Sequence, residues 1–324
     1  MIKMGLIGLG SMGLNHLRIL KIIKNVIHIY VYDKKHLDLI ENDNHDKITI
    51  IRDWKKFVEC CDAYIICTST NTHLGIIKKL PFSNKKILVE KPIVSSSQEA
   101  NELIALGSLD NIKVGYLERY NAAIKTFFQI KKLNELKINS VSIKRKSFAS
   151  SRITDVGVIT DLMVHDLDIL KHLFGVDLTE DASNIQSYKV GNLRSEDICL
   201  AHFELCNGAT KTLISLEASR ISHTRERSMI IDTNSGYFVL DFLNQSLTMT
   251  EQNRNFRKNR SVQITDIPVL ELEETTFLVR RNEPLYEELM SFCDFVNNNT
   301  DDGILASAED ALDTTNFAEH LINA

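Results

Sequence analysis

The first third of the chain alternates short apolar runs with stretches whose apolar residues recur at helical spacing. Short apolar runs are typical of buried strands, and the second pattern is typical of amphipathic helices. Strands that alternate with helices pair in parallel through right-handed crossovers. The N-terminal pattern therefore predicts a Rossmann-type, doubly wound parallel sheet. Predicted strands are Met4–Ile7, Val26–Tyr32, Ala63–Cys67, Ile87–Val89 and Ile112–Tyr116; predicted helices are Met12–Ile23 and Ser96–Leu106, the latter capped by Ser95 or Ser96.

The pattern changes after about Asn121. Apolar and polar residues then alternate, as they do in a half-buried strand, and turn signals at Asn207-Gly208 and Thr233–Gly236 separate pairs of such runs. We therefore predict a Rossmann domain over residues 1–119 and an α+β domain with a large open, mostly antiparallel sheet over residues 120–324. The predicted strands are Val141–Phe148, Ile198–Leu205, Thr210–Leu216, Met229–Asp232 and Tyr237–Asp241, and the predicted helices are Ile159–Phe174, Pro284–Val296 and Ala306–Leu321.

Composition excludes several classes of protein. The chain has 324 residues with 38 basic and 43 acidic side chains, so its net charge is −5. A nucleic-acid-binding protein would carry a basic excess, and no nucleic-acid partner is expected. No apolar stretch approaches the roughly 20 residues of a membrane helix, so no membrane partner is expected. None of the six cysteines forms a CxxC pair, which leaves a metal site without support. This cysteine usage fits a reducing cytosol and a cytoplasmic protein.

A glycine motif follows the first predicted strand and opens the first predicted helix. It reads Gly8-Leu9-Gly10-Ser11-Met12-Gly13. In a dinucleotide-binding turn, Gly8 permits the tight bend, Gly10 lets the backbone approach a pyrophosphate, and Gly13 lets helix and strand pack closely. The helix N-terminus, with Ser11 and Met12, offers N–H groups and partial positive charge to the phosphates. These residues are the first predicted cofactor contacts.

Asp33 ends the second predicted strand, twenty residues beyond Gly13. A carboxylate there can accept hydrogen bonds from the ribose hydroxyls of NAD, and it would repel the 2′-phosphate of NADP. We therefore predict NAD as the cofactor. NADP remains the alternative, because Lys34 and Lys35 follow at once and either can bind that phosphate.

Four further segments, together with the glycine motif, resemble the Gfo/Idh/MocA oxidoreductases. Their order and spacing fit that family over most of the chain. The resemblance implies a Rossmann domain, an open-sheet domain whose face mediates homodimers or homotetramers, and substrates that are sugars, cyclitols or sugar nucleotides. The segments are Cys67-Thr68-Ser69-Thr70-Asn71-Thr72-His73, Glu90-Lys91-Pro92, Gly115-Tyr116-Leu117-Glu118-Arg119-Tyr120-Asn121 and Asp161-Leu162-Met163-Val164-His165-Asp166.

Three residues are candidates for catalysis. Hydride transfer from an alcohol carbon needs a base for the hydroxyl proton and positive charge or donors near the oxygen. His165 suits the first task because the ordinary pKa of histidine is about 6.5. Lys91 suits the second as a compact cation. Asp161 lies four residues before His165, so the two share a helix face, where Asp161 can orient the imidazole or hold a substrate hydroxyl. The family pattern implies that Lys91 and His165 flank the reacting carbon.

Other site residues follow from the resemblance and from side-chain chemistry. The family pattern implies further cofactor contacts in the loops after the predicted strands, namely Thr68, Thr70, His73, Glu90 and Lys91. Arg119 and Arg152, together with Asn121, are expected to hold substrate, because arginine makes bidentate contacts; a structural salt bridge is the alternative for each arginine. We interpret His16, which lies in the glycine-motif helix, as a surface or packing residue.

The substrate is the least specific inference. The patterns GxxERxN and RxxDVGVxxDLxxHD most resemble the family members that oxidise C3 of a UDP-N-acetylhexosamine, and this is the expected reaction. One group of alternatives keeps the scaffold: an inositol or free-sugar dehydrogenase, an NADPH-dependent reductase, or a glycosidase that retains and recycles NAD. Another alternative is a non-catalytic dinucleotide-binding protein, against which Lys91, Asp161 and His165 argue together.

Overall fold

A computed structural model of the chain describes residues 1–41, 43, 45–148, 157–178, 184–190, 195–208, 210–252 and 272–324. Their contacts divide the chain into two compact units. The first unit contains Met1–Tyr120, Leu167–Leu178 and Asn282–Ala324. The second unit contains Asn121–Asp166 and Thr179–Arg281.

The described residues form strands and α-helices that are numbered in chain order. The strands are β1 Ile2–Ile7, β2 Val26–Tyr32, β3 Ile48–Ile50, β4 Ala63–Ile66, β5 Lys86–Glu90, β6 Ile112–Gly115, β7 Ile138–Lys146, β8 Asn184–Tyr188, β9 Ile198–Asn207, β10 Thr210–Ser219, β11 Glu226–Thr233, β12 Tyr237–Asp241, β13 Ser246–Gln252, β14 Leu272–Thr276 and β15 Ala306–Ser307. The helices are α1 Ser11–Ile22, α2 Trp54–Cys60, α3 His73–Ile77, α4 Ser97–Ile104, α5 Ala122–Asn134, α6 Val164–Phe174, α7 Pro284–Asn298 and α8 Ala308–Asn323.

The first unit is built on a parallel sheet, as predicted. Its strand order is β15-β6-β5-β4-β1-β2-β3, and each neighbouring pair is parallel except β15 with β6. The central strand β4 is buried along its whole length, as expected when helices cover both faces of a parallel sheet. The predicted helix α4 begins where Ser96 accepts a hydrogen bond from the backbone N–H of Glu99 at 3.3 Å, so the capping prediction is confirmed for Ser96.

The second unit begins at Asn121, one residue beyond the predicted start at residue 120, but the two C-terminal helices pack with the first unit. Leu289 and Phe292 of α7 join the same apolar core as the residues of β1, and both side chains are fully buried. Helix α8 packs against α4 and β6. The predicted helix Ala306–Leu321 begins two residues later, because Ala306 and Ser307 pair with β6 and Ser307 caps α8 through a 3.0 Å bond from Asp310 N–H.

The second unit is built on an open sheet, as predicted. Its strand order is β14-β13-β12-β11-β7-β10-β9-β8, and every neighbouring pair is antiparallel except β7 with β10. Alternate residues of β9 and β10 are buried, so one face of this sheet is covered. Helix α5, which the hydrophobic pattern did not reveal, packs on β12 and β13, where Phe127 meets Phe238 edge-on with ring centroids 5.2 Å apart. Burying a side chain of this kind contributes about 1.5–3 kcal/mol.

One predicted helix is irregular in the structure. The segment predicted as a helix from Ile159 to Phe174 starts with a π-helical turn, Ile159–Met163, before α6 begins. A π turn widens the helix locally and is frequent at functional sites. Among the described residues, no helix is both long and apolar enough to span a bilayer.

Candidate functional site

Four loops of the first unit lie at the carboxyl edge of its parallel sheet. They follow β1, β2, β4 and β5 and carry the glycine motif, Asp33, the Thr68–His73 segment and Lys91, respectively. Strand β1 pairs with β2 on one side and with β4 on the other, so successive crossovers leave in opposite directions at this point. Such a switch point opens a crevice in which α/β proteins bind their ligands.

The three glycines of the motif are required for different reasons. Gly8 has φ +97°, and a Cβ there would lie 2.8 Å from the backbone of Cys67. A Cβ on Gly13 would lie 2.0 Å from the carbonyl oxygen of Gly8. A Cβ on Gly10 would meet no described atom within 4 Å, and its φ of −65° is open to any residue. The packing of this chain therefore explains Gly8 and Gly13 but not Gly10, which fits close approach by a pyrophosphate.

The N-terminus of α1 suits an anion. Its capping residue, Gly10, makes no side-chain hydrogen bond, and no acidic side chain lies in the first turn. The helix has 12 residues, and its first N–H groups and the positive end of its dipole lie at the end that carries Ser11 and Met12. Ser11 is exposed there, and Met12 is half-buried. These features fit the diphosphate of a dinucleotide.

Asp33 lies beside the glycine turn. One of its oxygens accepts a hydrogen bond from Leu9 N–H at 2.7 Å, and the other accepts bonds from Lys35 N–H at 2.6 Å and His36 N–H at 2.8 Å. Partial burial works to raise the pKa of Asp33, but the three N–H groups outweigh it and lower the pKa below its usual value. The carboxylate is therefore ionised at neutral pH and puts a negative charge next to the turn.

The loop after β4 contains Thr68 and Thr70, both half-buried, and His73. The side chain of His73 is buried and exposes almost no surface, and its predicted cofactor contact stays a prediction. Its Nδ1 lies 3.0 Å from the carbonyl oxygen of Pro92, and its Nε2 lies 3.0 Å from that of Thr68. Burial lowers the pKa of His73, although these backbone contacts oppose the shift. The ring joins the loops after β4 and β5.

The loop after β5 contains Glu90 and Lys91. The carboxylate of Glu90 turns inward, where Oε1 lies 2.6 Å from Nε2 of His16 on α1, and its side chain is only 9% exposed. Of the two interpretations given for His16, surface or packing residue, the structure shows the packing one. The cofactor contact of Glu90 stays a prediction. The next residue, Lys91, is half-buried, and its catalytic role stays a prediction. Sequence reasoning missed the pair because nothing in the sequence connects positions 74 residues apart.

Two predicted substrate-binding residues make buried structural contacts. Arg119 is 3% exposed and donates bidentate hydrogen bonds to Asp168, with Nε 2.8 Å and Nη2 2.6 Å from its oxygens. Burial opposes the charge of Arg119, but Asp168 and Asp310 together raise its pKa. Asn121 is 2% exposed; its oxygen caps α5 through Ala123 N–H at 3.1 Å. Its amide donates to the carbonyl of Phe242 at 3.0 Å. Both side chains are buried, and the ion pair of Arg119 is the structural alternative given for it; their contacts with substrate stay predictions.

Asp161 and His165 lie in the second unit, in the helical segment that carries the π turn. Asp161 is inside the π turn, His165 is in the first turn of α6, and both are half-buried. Their four-residue spacing keeps them about one turn apart. Arg152, the third predicted substrate contact, lies outside the described residues.

Buried polar contacts hold this helical segment before Asp161 and after His165. The carboxylate of Glu196 accepts a hydrogen bond from Ile159 N–H at 3.0 Å, and a Cβ on Gly157 would overlap that carboxylate. Asp166 follows His165 and accepts bonds from Nε and Nη2 of Arg145 at 2.9 and 2.7 Å. Both partners of this ion pair are buried. The sequence shows Asp166 in the motif but gives no sign of Arg145, whose partner lies 21 residues away.

Comparison with known proteins agrees with this architecture. The Gfo/Idh/MocA description "Oxidoreductase family, NAD-binding Rossmann fold" matches residues 2–113, and the companion description "Oxidoreductase family, C-terminal alpha/beta domain" matches residues 130–324. Among solved structures, a UDP-N-acetylglucosamine 3-dehydrogenase, GnnA, from Acidithiobacillus ferrooxidans has a TM-score of 0.80. Its sequence is 21% identical, and the match covers 100% of this chain and 97% of that chain, which shows a common fold.

Curated relatives include enzymes with two kinds of substrate. A UDP-N-acetylglucosamine 3-dehydrogenase of Acidithiobacillus ferrooxidans is 28% identical over 189 residues, which is 57% of each chain. A myo-inositol 2-dehydrogenase of Thermotoga maritima is 23% identical over 223 residues, 64% of this chain and 66% of that one. The matches thus span about three fifths of these relatives' lengths. With both domain descriptions matched in order over most of its length, the chain belongs to the Gfo/Idh/MocA family of oxidoreductases.

Proposed function

We propose that the protein is an NAD-dependent oxidoreductase that transfers a hydride between the cofactor and a secondary alcohol of a sugar. The observation that carries this proposal is the glycine turn. A Cβ on Gly10 would meet no described atom within 4 Å, so the packing of the chain does not itself require glycine there. An ionised Asp33 lies beside the turn. The cofactor-binding residues we propose are Gly8, Gly10, Ser11, Met12, Gly13, Asp33, Thr68, Thr70 and Lys91.

The charge on Asp33 favours NAD over NADP. A carboxylate that already accepts three backbone N–H groups stays ionised, so it would repel a 2′-phosphate and accept from ribose hydroxyls. Lys34 and Lys35 remain the reason to test NADP. The ratio of kcat/KM with the two cofactors measures this preference directly, and we expect it to favour NAD.

The proposed chemistry uses three side chains. When bound, the nicotinamide accepts the hydride from the alcohol carbon. His165 takes the hydroxyl proton, which balances the loss of the hydride from carbon, and the alcohol becomes a ketone. Lys91 donates to the substrate oxygen and stabilises its developing negative charge. Asp161, about one turn before His165, orients the imidazole or holds a neighbouring hydroxyl. In the reverse direction His165 returns the proton to the oxygen.

We propose a UDP-N-acetylhexosamine oxidised at C3 as the substrate. The support is the likeness to UDP-N-acetylglucosamine 3-dehydrogenase in sequence and in fold. A second candidate is an inositol, because a myo-inositol 2-dehydrogenase is also a relative. Both reactions oxidise a ring carbon that bears a secondary hydroxyl, so the proposed catalytic roles apply to either.

Formation of NADH with a panel of alcohols tests the activity and the substrate together. The panel contains UDP-N-acetylglucosamine, UDP-glucose, myo-inositol, scyllo-inositol and free N-acetylglucosamine. We expect the highest kcat/KM with UDP-N-acetylglucosamine and at least a 100-fold loss in Lys91→Met or His165→Asn, in line with the usual effect of acid–base groups, about 10²–10⁴. Turnover of an inositol alone would transfer the assignment to the second candidate. NAD binding without turnover of any of these alcohols would contradict the enzymatic proposal.

We also propose that two or more copies of the chain assemble through the open face of the second unit's sheet. Leu213 of β10 is 59% exposed on that face, whereas Ile214 and Leu216 on the same strand are buried. A single exposed leucine is ordinary on a protein surface, so the support for this proposal is the family resemblance, and Leu213 is the position at which to test it. Light scattering after gel filtration is expected to give a dimer or tetramer mass, and a lower mass for Leu213→Glu. A monomeric mass for the unmodified chain would contradict this proposal.

A further inference from the structure

A pair of buried polar side chains lies inside the first unit, beneath the glycine turn. His16 belongs to α1, the helix that begins at the turn, and its side chain is fully buried. Glu90 is the last residue of β5, and its Oε1 lies 2.6 Å from Nε2 of His16. The residue that follows Glu90 is Lys91. The hydrogen bond therefore links the helix proposed to bind the cofactor phosphates with the residue before the proposed catalytic lysine.

We propose that His16 is a positioning residue that holds Glu90 in place and thereby sets the position of Lys91 relative to the glycine turn. This inference rests on the proposed function, because it concerns the placement of the lysine that acts on the substrate oxygen. Because His16 is fully buried, the role proposed for it acts through Glu90 and requires no contact with cofactor or substrate.

The two ring nitrogens of His16 differ in their contacts. Nδ1 of His16 has no hydrogen-bond partner among the described residues. Among the described residues, the hydrogen bond of the imidazole is the one between Nε2 and Glu90. Two other titratable groups face this pair, Cys67 and Glu288, and burial raises the pKa of each well above its usual value.

A second histidine holds the other end of the same short segment. Nδ1 of His73 lies 3.0 Å from the carbonyl oxygen of Pro92, the residue after Lys91. Both chain neighbours of Lys91 are therefore in contact with a buried histidine. His16 of α1 contacts Glu90, and His73 of α3 contacts Pro92. A flexible side chain whose backbone is held on both sides loses less conformational freedom when it engages a ligand.

The same side chains raise the question of a metal site. Donor atoms of His16, Cys67 and Glu90 lie within 4.8 Å of one another. However, two ligands of a tetrahedral zinc ion, with bonds of about 2.0–2.1 Å, keep about 3.3 Å between them. The 2.6 Å separation of His16 and Glu90 is a hydrogen bond and is too short for two ligands. The geometry supports a positioning pair.

Variants of the pair separate positioning from simple stability. His16→Gln keeps an amide N–H close to the position of Nε2, whereas His16→Leu removes the donor and leaves the Glu90 carboxylate buried alone. His16→Leu combined with Glu90→Leu removes both polar partners, so the stability lost in the single variant is expected to return. His28→Leu is the matched control, because His28 is a histidine of the same unit that contacts Thr49 at the sheet edge.

Four measurements are made on each purified variant. They are the urea-unfolding free energy, the NAD dissociation constant, kcat with KM for the best alcohol of the panel, and the carbon NMR signal of Lys91 after reductive methylation of the lysines. The signal is assigned by its absence in Lys91→Arg. We expect wild-type values for His28→Leu and near-wild-type values for His16→Gln. In the double variant we expect recovered stability, a shifted Lys91 signal and a kcat lowered about 100-fold, the usual effect of displacing a reacting group by about 1 Å.

The outcomes are distinct. Recovery of both stability and kcat in the double variant, or an unshifted Lys91 signal, would overturn the inference and leave the pair with a structural role alone. Stoichiometric metal in the purified protein that is lost in His16→Leu would overturn it in favour of coordination. Failure of the proposed function has another signature: no turnover by the wild type, or equal turnover by Lys91→Met. In that case the Lys91 signal still reports whether His16 positions the lysine.

Discussion

Two glycine-to-alanine substitutions in the glycine turn should affect different properties, one the affinity for NAD and the other the stability of the fold. Gly10→Ala and Gly13→Ala each add one methyl group, three residues apart, to the same motif. The first methyl group would enter open space, whereas the second would run into the backbone of the turn. Gly75→Ala is a matched control, because a Cβ on Gly75 in α3 also meets no described atom within 4 Å.

The structure gives the size of each effect. The Cβ of an alanine at position 13 would lie 2.0 Å from the carbonyl oxygen of Gly8, which is 1.0 Å short of the 3.0 Å below which real Cβ atoms are essentially never found. Because the obstacle is backbone, α1 must move away from the turn, and overpacking of this kind costs about 1–3 kcal/mol of unfolding free energy or more. At position 10 the backbone angles, φ −65° and ψ −171°, already suit alanine. The unfolding free energy should therefore change by no more than about 1 kcal/mol.

Urea unfolding followed by circular dichroism and NAD titration by calorimetry test both effects. Gly10→Ala should unfold like the wild type yet bind NAD at least about tenfold more weakly, which corresponds to about 1.4 kcal/mol. Gly13→Ala should lose stability. Gly75→Ala replaces a glycine inside a helix, so it should bind NAD like the wild type and gain up to about 1 kcal/mol of stability. Unchanged NAD affinity in Gly10→Ala would refute the reasoning that a pyrophosphate requires this glycine. A stability loss there equal to that of Gly13→Ala would refute the geometry.

Four other predictions concern charged side chains. Asp33→Ser removes the charge beside the turn, so the kcat/KM ratio of NADP to NAD should rise about tenfold, the equivalent of about 1.4 kcal/mol; an unchanged ratio would exclude Asp33 as the selector. Because burial raises the pKa of Glu288, the folded state holds its proton more tightly. The contribution of Glu288 to stability is therefore complete below the unfolded pKa of about 4.3 and is lost as pH rises toward the folded pKa; Glu288→Gln should abolish this slope of up to about 1.4 kcal/mol per pH unit in urea titrations. Arg119→Met should cost about 3–5 kcal/mol of unfolding free energy in thermal or urea unfolding, because it leaves the buried Asp168 unpaired. KM for the alcohol should stay near the wild-type value; a raised KM in the folded variant would support the predicted contact of Arg119 with substrate. Asp166→Asn should weaken the bond from Arg145 and lower kcat more than it raises KM, and equal changes in both would argue against an anchoring role for the helix that carries His165.

The elements that the sequence predicted well are those set by local rules. The predicted strand Val26–Tyr32 has the same bounds as β2, because an apolar run between turn residues leaves few alternatives. The predicted tight turn at Gly8 and close packing at Gly13 follow from the absence of a Cβ, and the structure shows both. The capping role of Ser96 depends on one side chain and the next turn of helix. In each case the physical cause lies within a few residues.

What the sequence did not predict depends on distant partners. Arg119 and Asp168 are 49 residues apart, and the chemistry of arginine suits a substrate phosphate as well as a buried carboxylate. Periodicity identified α7 as an amphipathic helix, but an apolar helix face does not reveal which sheet it covers. Helix α7 packs in the first unit, although most of the chain separates it in sequence from the first strands of that unit. The π turn escaped prediction because its apolar pattern differs little from that of an ordinary helix.

The segments Glu90-Lys91 and His165-Asp166 share one arrangement. In each, a buried carboxylate contacts a nitrogen-containing side chain from another element: Glu90 contacts His16, and Asp166 contacts Arg145. The residue beside each carboxylate, Lys91 or His165, is half-buried. Neighbouring residues on a strand point to opposite faces, and on a helix they diverge by about 100°. An anchored carboxylate therefore fixes the backbone of its neighbour while turning that side chain elsewhere. In each segment an anchored carboxylate therefore precedes or follows a residue proposed for catalysis. Loss of the buried partner should then disturb the position of that neighbouring residue even if the carboxylate itself contacts no ligand.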